Sequence, residues 1–110
     1  MTNLPRALDK YFALPFTDTI NALSLSAGAA ETMRVPDGAY FVAMSANADF
    51  YARTYAKGAS PVTAAVATDV TDGTGSALNP TLRRVTPGDT ISVISAASCL
   101  ITFEFFGRGE

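Results

Sequence analysis

From residue 18 to residue 106, turn-forming clusters cut the chain into about eight short runs, at roughly the 8–12-residue spacing of all-β sandwiches and barrels. The punctuation comes from Pro36-Asp37-Gly38, Gly58 to Pro61, Asp72-Gly73, Asn79-Pro80 and Pro87-Gly88. Pro presets φ for the first central position of a tight turn, and Gly accepts the positive φ that other residues resist. Within the runs the residues alternate. Tyr40, Val42 and Met44 fall on one side and Phe41, Ala43 and Ser45 on the other, the period of a strand rather than a helix. Met33 and Val35 likewise oppose Thr32 and Arg34, while Ile101, Phe103 and Phe105 oppose Thr102 and Glu104.

The expected strands cover residues 19–25, 31–35, 39–46, 50–55, 62–70, 81–85, 90–95 and 100–106. The run at 62–70 is rich in Ala and Thr, and residues 71–80 read as a long loop. The two strands between 35 and 55 look like a central hairpin turned at Asn47-Ala48-Asp49. Both of its faces carry aromatic residues (Tyr40, Phe41, Phe50, Tyr51 and Tyr55). One face is therefore assigned to the core, and the other needs a cover. A chain of 110 residues has the size of one domain. Hence the expected organisation is an arm at 1–17 followed by a single small β-sandwich at 18–110.

The arm is unlike the rest. Pro5 stands near a possible helix start, Pro15 would stop that helix, and Leu4, Leu8, Tyr11, Phe12, Leu14 and Phe16 make the segment strongly apolar. It is either a short amphipathic helix or an extended strap. In both cases exposed apolar surface is unfavourable at about 25 cal/mol per Å², so the segment should dock on its own domain or on a neighbouring subunit.

Composition removes several function classes. The chain has no His, hence no imidazole base, no imidazole metal ligand and no Ser-His-Asp or Cys-His nucleophile. We expect neither catalysis nor a cofactor. Asp69, Asp72 and Asp89 lack the spacing of a calcium loop, and Gly73-Thr74-Gly75 lacks the Lys of a phosphate loop; no metal site is expected. Eight basic and ten acidic residues, a formal net charge of −2, leave no basic face for nucleic acid. The single Cys99 lies in an apolar run and is expected to be buried and inert. No apolar run approaches the ~20 residues of a membrane-spanning helix, and no signal-peptide pattern opens the chain, so the protein is expected to stay in the compartment where it is made. Charged residues make up only 16%, against a usual share of about 25%. A surface so weakly charged suits contact with neighbouring protein.

Two clusters invite contacts. Alternation should turn Arg83 and Arg84 to opposite faces, to pair with Asp69, Asp72 or Asp89 of the same chain or with acids of a neighbouring subunit. Tyr51, Arg53 and Tyr55 share one side and could form a stacking platform for a sugar or base. The candidate contact residues are thus Leu4, Leu8, Tyr11, Phe12, Phe16, Tyr51, Arg53, Tyr55, Arg83 and Arg84.

Three pieces carry a resemblance: residues 31–39 (ETMRVPDGA), 48–53 (ADFYAR), and 69–80 (DVTDGTGSALNP) running on to Arg83-Arg84-Val85. Together they resemble the small β-rich structural proteins of tailed bacteriophages, some of which are head decoration or cement proteins. The likeness spans about residues 31 to 106 and leaves the arm unmatched. It implies a jelly-roll or related sandwich, made in the host cytoplasm and located in the virion. It also implies a homo-oligomer, a trimer by preference, whose partners are the major capsid protein or other virion proteins. Two other placements would suit such a chain: a glycan- or host-surface-binding module on a tail or fibre, and a head-to-tail connector or tail subunit.

Overall fold

The computed structural model describes residues 16–66 and 68–107. They form two antiparallel four-stranded sheets and, among the described residues, no helix. The strands are β1 (Ile20–Leu25), β2 (Glu31–Arg34), β3 (Phe41–Ala46), β4 (Tyr51–Tyr55), β5 (Ala77–Leu78), β6 (Leu82–Arg84), β7 (Thr90–Ile94) and β8 (Cys99–Phe106). One sheet has the order β1-β8-β3-β6 and the other β2-β7-β4-β5. The pairs β1·β8, β2·β7, β3·β6 and β4·β5 nest like one long hairpin, and the pairs β3·β8 and β4·β7 wrap it into two sheets. This is the strand order of a jelly roll. The all-β sandwich expected from the turn spacing is present.

Between the sheets lies the core: Val42 and Met44 from β3, Ala52 from β4, Ile91 and Val93 from β7, and Cys99, Ile101, Phe103 and Phe105 from β8. The alternation of β8 puts its inward residues in register with those of β3, Met44 opposite Phe103 and Val42 opposite Phe105. The rings of Phe103 and Phe105 stack with centroids 6.3 Å apart. Cys99 is a free, buried thiol, its Sγ set 3.6 Å from the Ala48 carbonyl.

Three expectations need correction. First, β3 and β4 are not a hairpin: they lie in different sheets, and residues 47–50 carry the chain across the sandwich. This crossing is held from both sides. The Leu100 amide donates to Asn47 Oδ1 (3.0 Å), the Ser95 hydroxyl to the Asp49 carbonyl (2.7 Å), and the Phe50 amide to Asn79 Oδ1 (3.0 Å). Second, the described part of residues 62–70 contains no strand. Third, the loop at 71–80 contributes the two-residue β5, which pairs with Tyr51 and Ala52 of β4. The count of eight strands stands, with a different membership.

The two turns with similar sequences, at 36–39 and 86–89, close with i to i+3 hydrogen bonds from the Ala39 amide to the Pro36 carbonyl (3.2 Å) and from the Asp89 amide to the Thr86 carbonyl (3.0 Å). They also hold each other, since the Val35 amide donates to the Asp89 carbonyl (2.8 Å) and the Gly88 amide to the Val35 carbonyl (3.0 Å). Residues 1–15, including Leu4, Leu8, Tyr11, Phe12 and Leu14, lie outside the described residues, and so does the choice between helix and strap. At the border of the arm the Thr17 hydroxyl donates to the Phe105 carbonyl (2.7 Å), and the Phe105 amide donates to the Thr19 carbonyl (3.0 Å), which ties the chain to β8.

Candidate functional site

The outer faces of the two sheets differ in kind. In the β1-β8-β3-β6 sheet, residues paired across strands share a side, so the register lays out the solvent face row by row. One row runs Ile20, Glu104, Ala43, Leu82; the next on one side is Phe106, Phe41, Arg84; on the other side come Ala22, Thr102, Ser45, and then Ser24, Leu100. Only Glu104 and Arg84 in this grid carry charge. Ile20 (49% exposed), Leu82 (46%) and Leu100 (48%) leave large aliphatic surface in water, where a solvated sheet face ordinarily presents polar residues. Phe16, 94% exposed, precedes the Thr17 anchor at the end of β8 in this same sheet.

The outer face of the β2-β7-β4-β5 sheet is covered by its own chain. Tyr51, Arg53 and Tyr55 lie there opposite Ile94, Ser92 and Thr90. The connection from β4 to β5 crosses this face, and the Ala64 amide, itself buried, donates to Ser92 Oγ (2.8 Å). Arg53 Nη1 donates to the carbonyls of Thr74 and Gly75. Ser92 and Ile94 are buried as a result, and Tyr51, Arg53 and Tyr55 are half-buried. The expected open aromatic platform is instead the seat of an internal loop.

Arg83 and Arg84 point to opposite sides, as alternation predicts: Arg83 opposite Val42 on the inner side, Arg84 opposite Phe41 on the outer. The Arg84 guanidinium lies 5.9 Å from the centroid of the Phe41 ring, within cation–π range. Arg83 Nη1 donates only to the Leu82 carbonyl (3.2 Å). None of Arg53, Arg83 and Arg84 has a carboxylate partner among the described residues. The intrachain pairing with Asp69, Asp72 or Asp89 is therefore not formed there. Asp72 instead accepts from the amide and hydroxyl of Thr74 (3.2 and 2.7 Å), and the hydroxyl bond, with the amide bond second, holds its carboxyl below the ordinary aspartate range.

Between the free edges of β5 and β6 opens a cavity of about 360 Å³. Val42, Met44, Val85 and Ile91 form its apolar depth, and Arg53 and Arg83 lie at its lining from opposite sheets. Arg53 Nε is buried without a hydrogen-bond partner. A second hollow, of about 440 Å³, lies beside residues 44–50 and 79–81. The Asn79 side chain there is already engaged: its Nδ2 donates to Asp49 Oδ1 (2.9 Å) and its Oδ1 accepts from the Phe50 amide (3.0 Å). Among the described residues no three metal-ligating side chains converge.

The exposed aliphatic residues Ile20, Leu82 and Leu100 of this face were not among the candidate residues, although a signal for one of them exists. Leu100 is out of phase with Ile101, Phe103 and Phe105, and an aliphatic residue on the polar phase of a strand marks an outward apolar spot. No protein-family model, curated protein or solved structure matches the chain.

Proposed function

We propose that this chain is a virion structural protein that decorates or cements a bacteriophage capsid through protein–protein contacts. The observation that carries the contact part is the outer face of the β1-β8-β3-β6 sheet, which is uncovered among the described residues. With three half-exposed aliphatic residues, two half-buried aromatics and two charges, it is built to be covered, as the core of a subunit interface is. The placement in a phage particle rests on the resemblance of residues 31–39, 48–53 and 69–85. In this reading the apolar segment 1–16, which enters beside the same sheet at Thr17, adds to the contact, and many modest contacts around a closed ring of copies sum to a firm hold. The major capsid protein or another virion protein is the partner.

The test measures mass in solution and co-sedimentation with capsid shells, for the full chain and for the double variant Leu82→Glu/Leu100→Glu. A trimer that binds shells, and a folded variant that does neither, is the expected outcome. A chain that stays monomeric and sediments free of shells overturns the proposal. A ring of six or more copies would instead favour the connector placement. The glycan-binding alternative needs an exposed Tyr51-Arg53-Tyr55 face, and the loop seated on that face gives it no support.

A further inference from the structure

We propose that the mouth between β5 and β6 is a binding site for a monocarboxylate with a short apolar body. The site is separate from the outer sheet face invoked above, and it stands or falls independently of the capsid reading.

Three features converge on this ligand. The first is charge. Arg53 and Arg83 reach the cavity from opposite sheets, and no carboxylate of the described residues lines it, so the mouth is a positive, partly desolvated recess. The second is unused hydrogen-bonding capacity. Arg53 spends Nη1 on the carbonyls of Thr74 and Gly75, which fixes the guanidinium and leaves its Nη2 without a hydrogen-bond partner among the described residues. Arg83 donates to the carbonyl of its neighbour Leu82 and has no other hydrogen-bond partner among the described residues. Guanidinium forks match the two oxygens of a carboxylate. The third is the depth. Val42, Met44, Val85 and Ile91 offer no polar side-chain group, so the body entering beyond the arginines has to be apolar. At about 30 Å³ per water-sized group, the cavity of about 360 Å³ holds roughly twelve such groups, room for an eight-carbon acid.

The experiment titrates the isotope-labelled full-length protein with sodium octanoate, 1-octanol and sodium sulfate, following amide resonances. Octanoate is expected to shift the amides of Ala52, Thr54 and Val85 saturably. Octanol should bind at least about tenfold more weakly, since one charge-assisted hydrogen bond accounts for a factor of that order, and so should sulfate, which keeps the charge but has no apolar chain to bury against Val42, Met44, Val85 and Ile91. Arg83→Gln should lower octanoate affinity by about tenfold without disturbing the rest of the spectrum. Arg53→Gln should do the same but also loosen residues 74–75, so the Arg83 variant decides. Equal affinity for octanoate and octanol would show an apolar groove without carboxylate recognition. Sulfate binding as tightly as octanoate would show a bare anion site. Either result, the absence of saturation, or an Arg83→Gln variant with unchanged affinity, overturns the proposal.

Discussion

A single hydroxyl shows how the covered sheet face is held. Ser92 is fully buried although it points away from the core, because its Oγ is the acceptor for the buried amide of Ala64. Replacing it leaves that amide without a partner in a place water does not reach. Ser92→Ala should therefore cost about 1–3 kcal/mol, read by denaturant unfolding, together with faster hydrogen exchange at the Ala64 amide. Ser45→Ala, on the exposed outer face, should stay within about 0.5 kcal/mol. Equal effects of the two variants would remove the role assigned to Ser92. Other individual residues follow from alternation alone, including the opposed side chains of Arg83 and Arg84 and the inward set Ile101, Phe103 and Phe105. Arg53 does not: its strand phase places it on an outer face, but alternation gives no sign that its Nη1 donates to the carbonyls of Thr74 and Gly75, 21 and 22 residues further along the chain. The pairing of β5 with Tyr51 and Ala52, which brings that segment beside β4, is likewise specified by no local pattern.

At the scale of elements, strands and turns were readable and pairings were not. The turn at 86–89 is a case of local chemistry deciding local structure. Pro87 and Gly88 take the two central positions, and Gly88 sits at φ +90. A left-handed non-glycine residue costs roughly 1–2 kcal/mol, so Gly88→Ala and Gly38→Ala (φ +83) should each destabilise by about that amount in thermal or denaturant unfolding. A Cβ at Gly88 would meet Lys57 Cδ at 2.9 Å. Because that is the far part of a flexible side chain, adding Lys57→Ala should recover little of the loss, and large recovery would place the cost in the clash instead. The supposed hairpin at 35–55 fails for a complementary reason. Four residues join β3 to β4, and the same length can turn a hairpin or cross a sandwich. What selects the crossing is the set of distant partners at Leu100, Ser95 and Asn79. Residues 62–70 are rich in Ala and Thr, yet their described part forms no strand, since Ala64 is bonded to a side chain on a sheet face rather than to a strand edge.

For the whole molecule, nested pairing has a kinetic consequence. β1 pairs with β8 and β2 with β7, so most of the chain must be closed into loops before the central strands are satisfied. High contact order slows folding, and refolding is expected in the millisecond-to-second range of β-sandwiches, measurable by stopped-flow tyrosine fluorescence, as the chain has four Tyr and no Trp. Refolding in microseconds would contradict the nested order. The same topology explains the asymmetry of the two faces. The long connection between β4 and β5 is the one link joining neighbouring strands of a single sheet, and it folds back over that sheet. Every other link crosses the sandwich, which leaves the β1-β8-β3-β6 face without a cover among the described residues.

The sequence by itself determined the class of fold, the positions of most strands and which side of each strand is apolar, because period-2 alternation and turn chemistry act over a few residues. It also excluded the imidazole chemistries, since a residue type that is absent cannot act. Only the tertiary structure decided which strands pair, which outer face is covered, and that Arg53 and Arg83 meet one cavity from two sheets. Those outcomes depend on contacts between residues far apart in the chain, and alternation carries the side of a strand but not the identity of its neighbour.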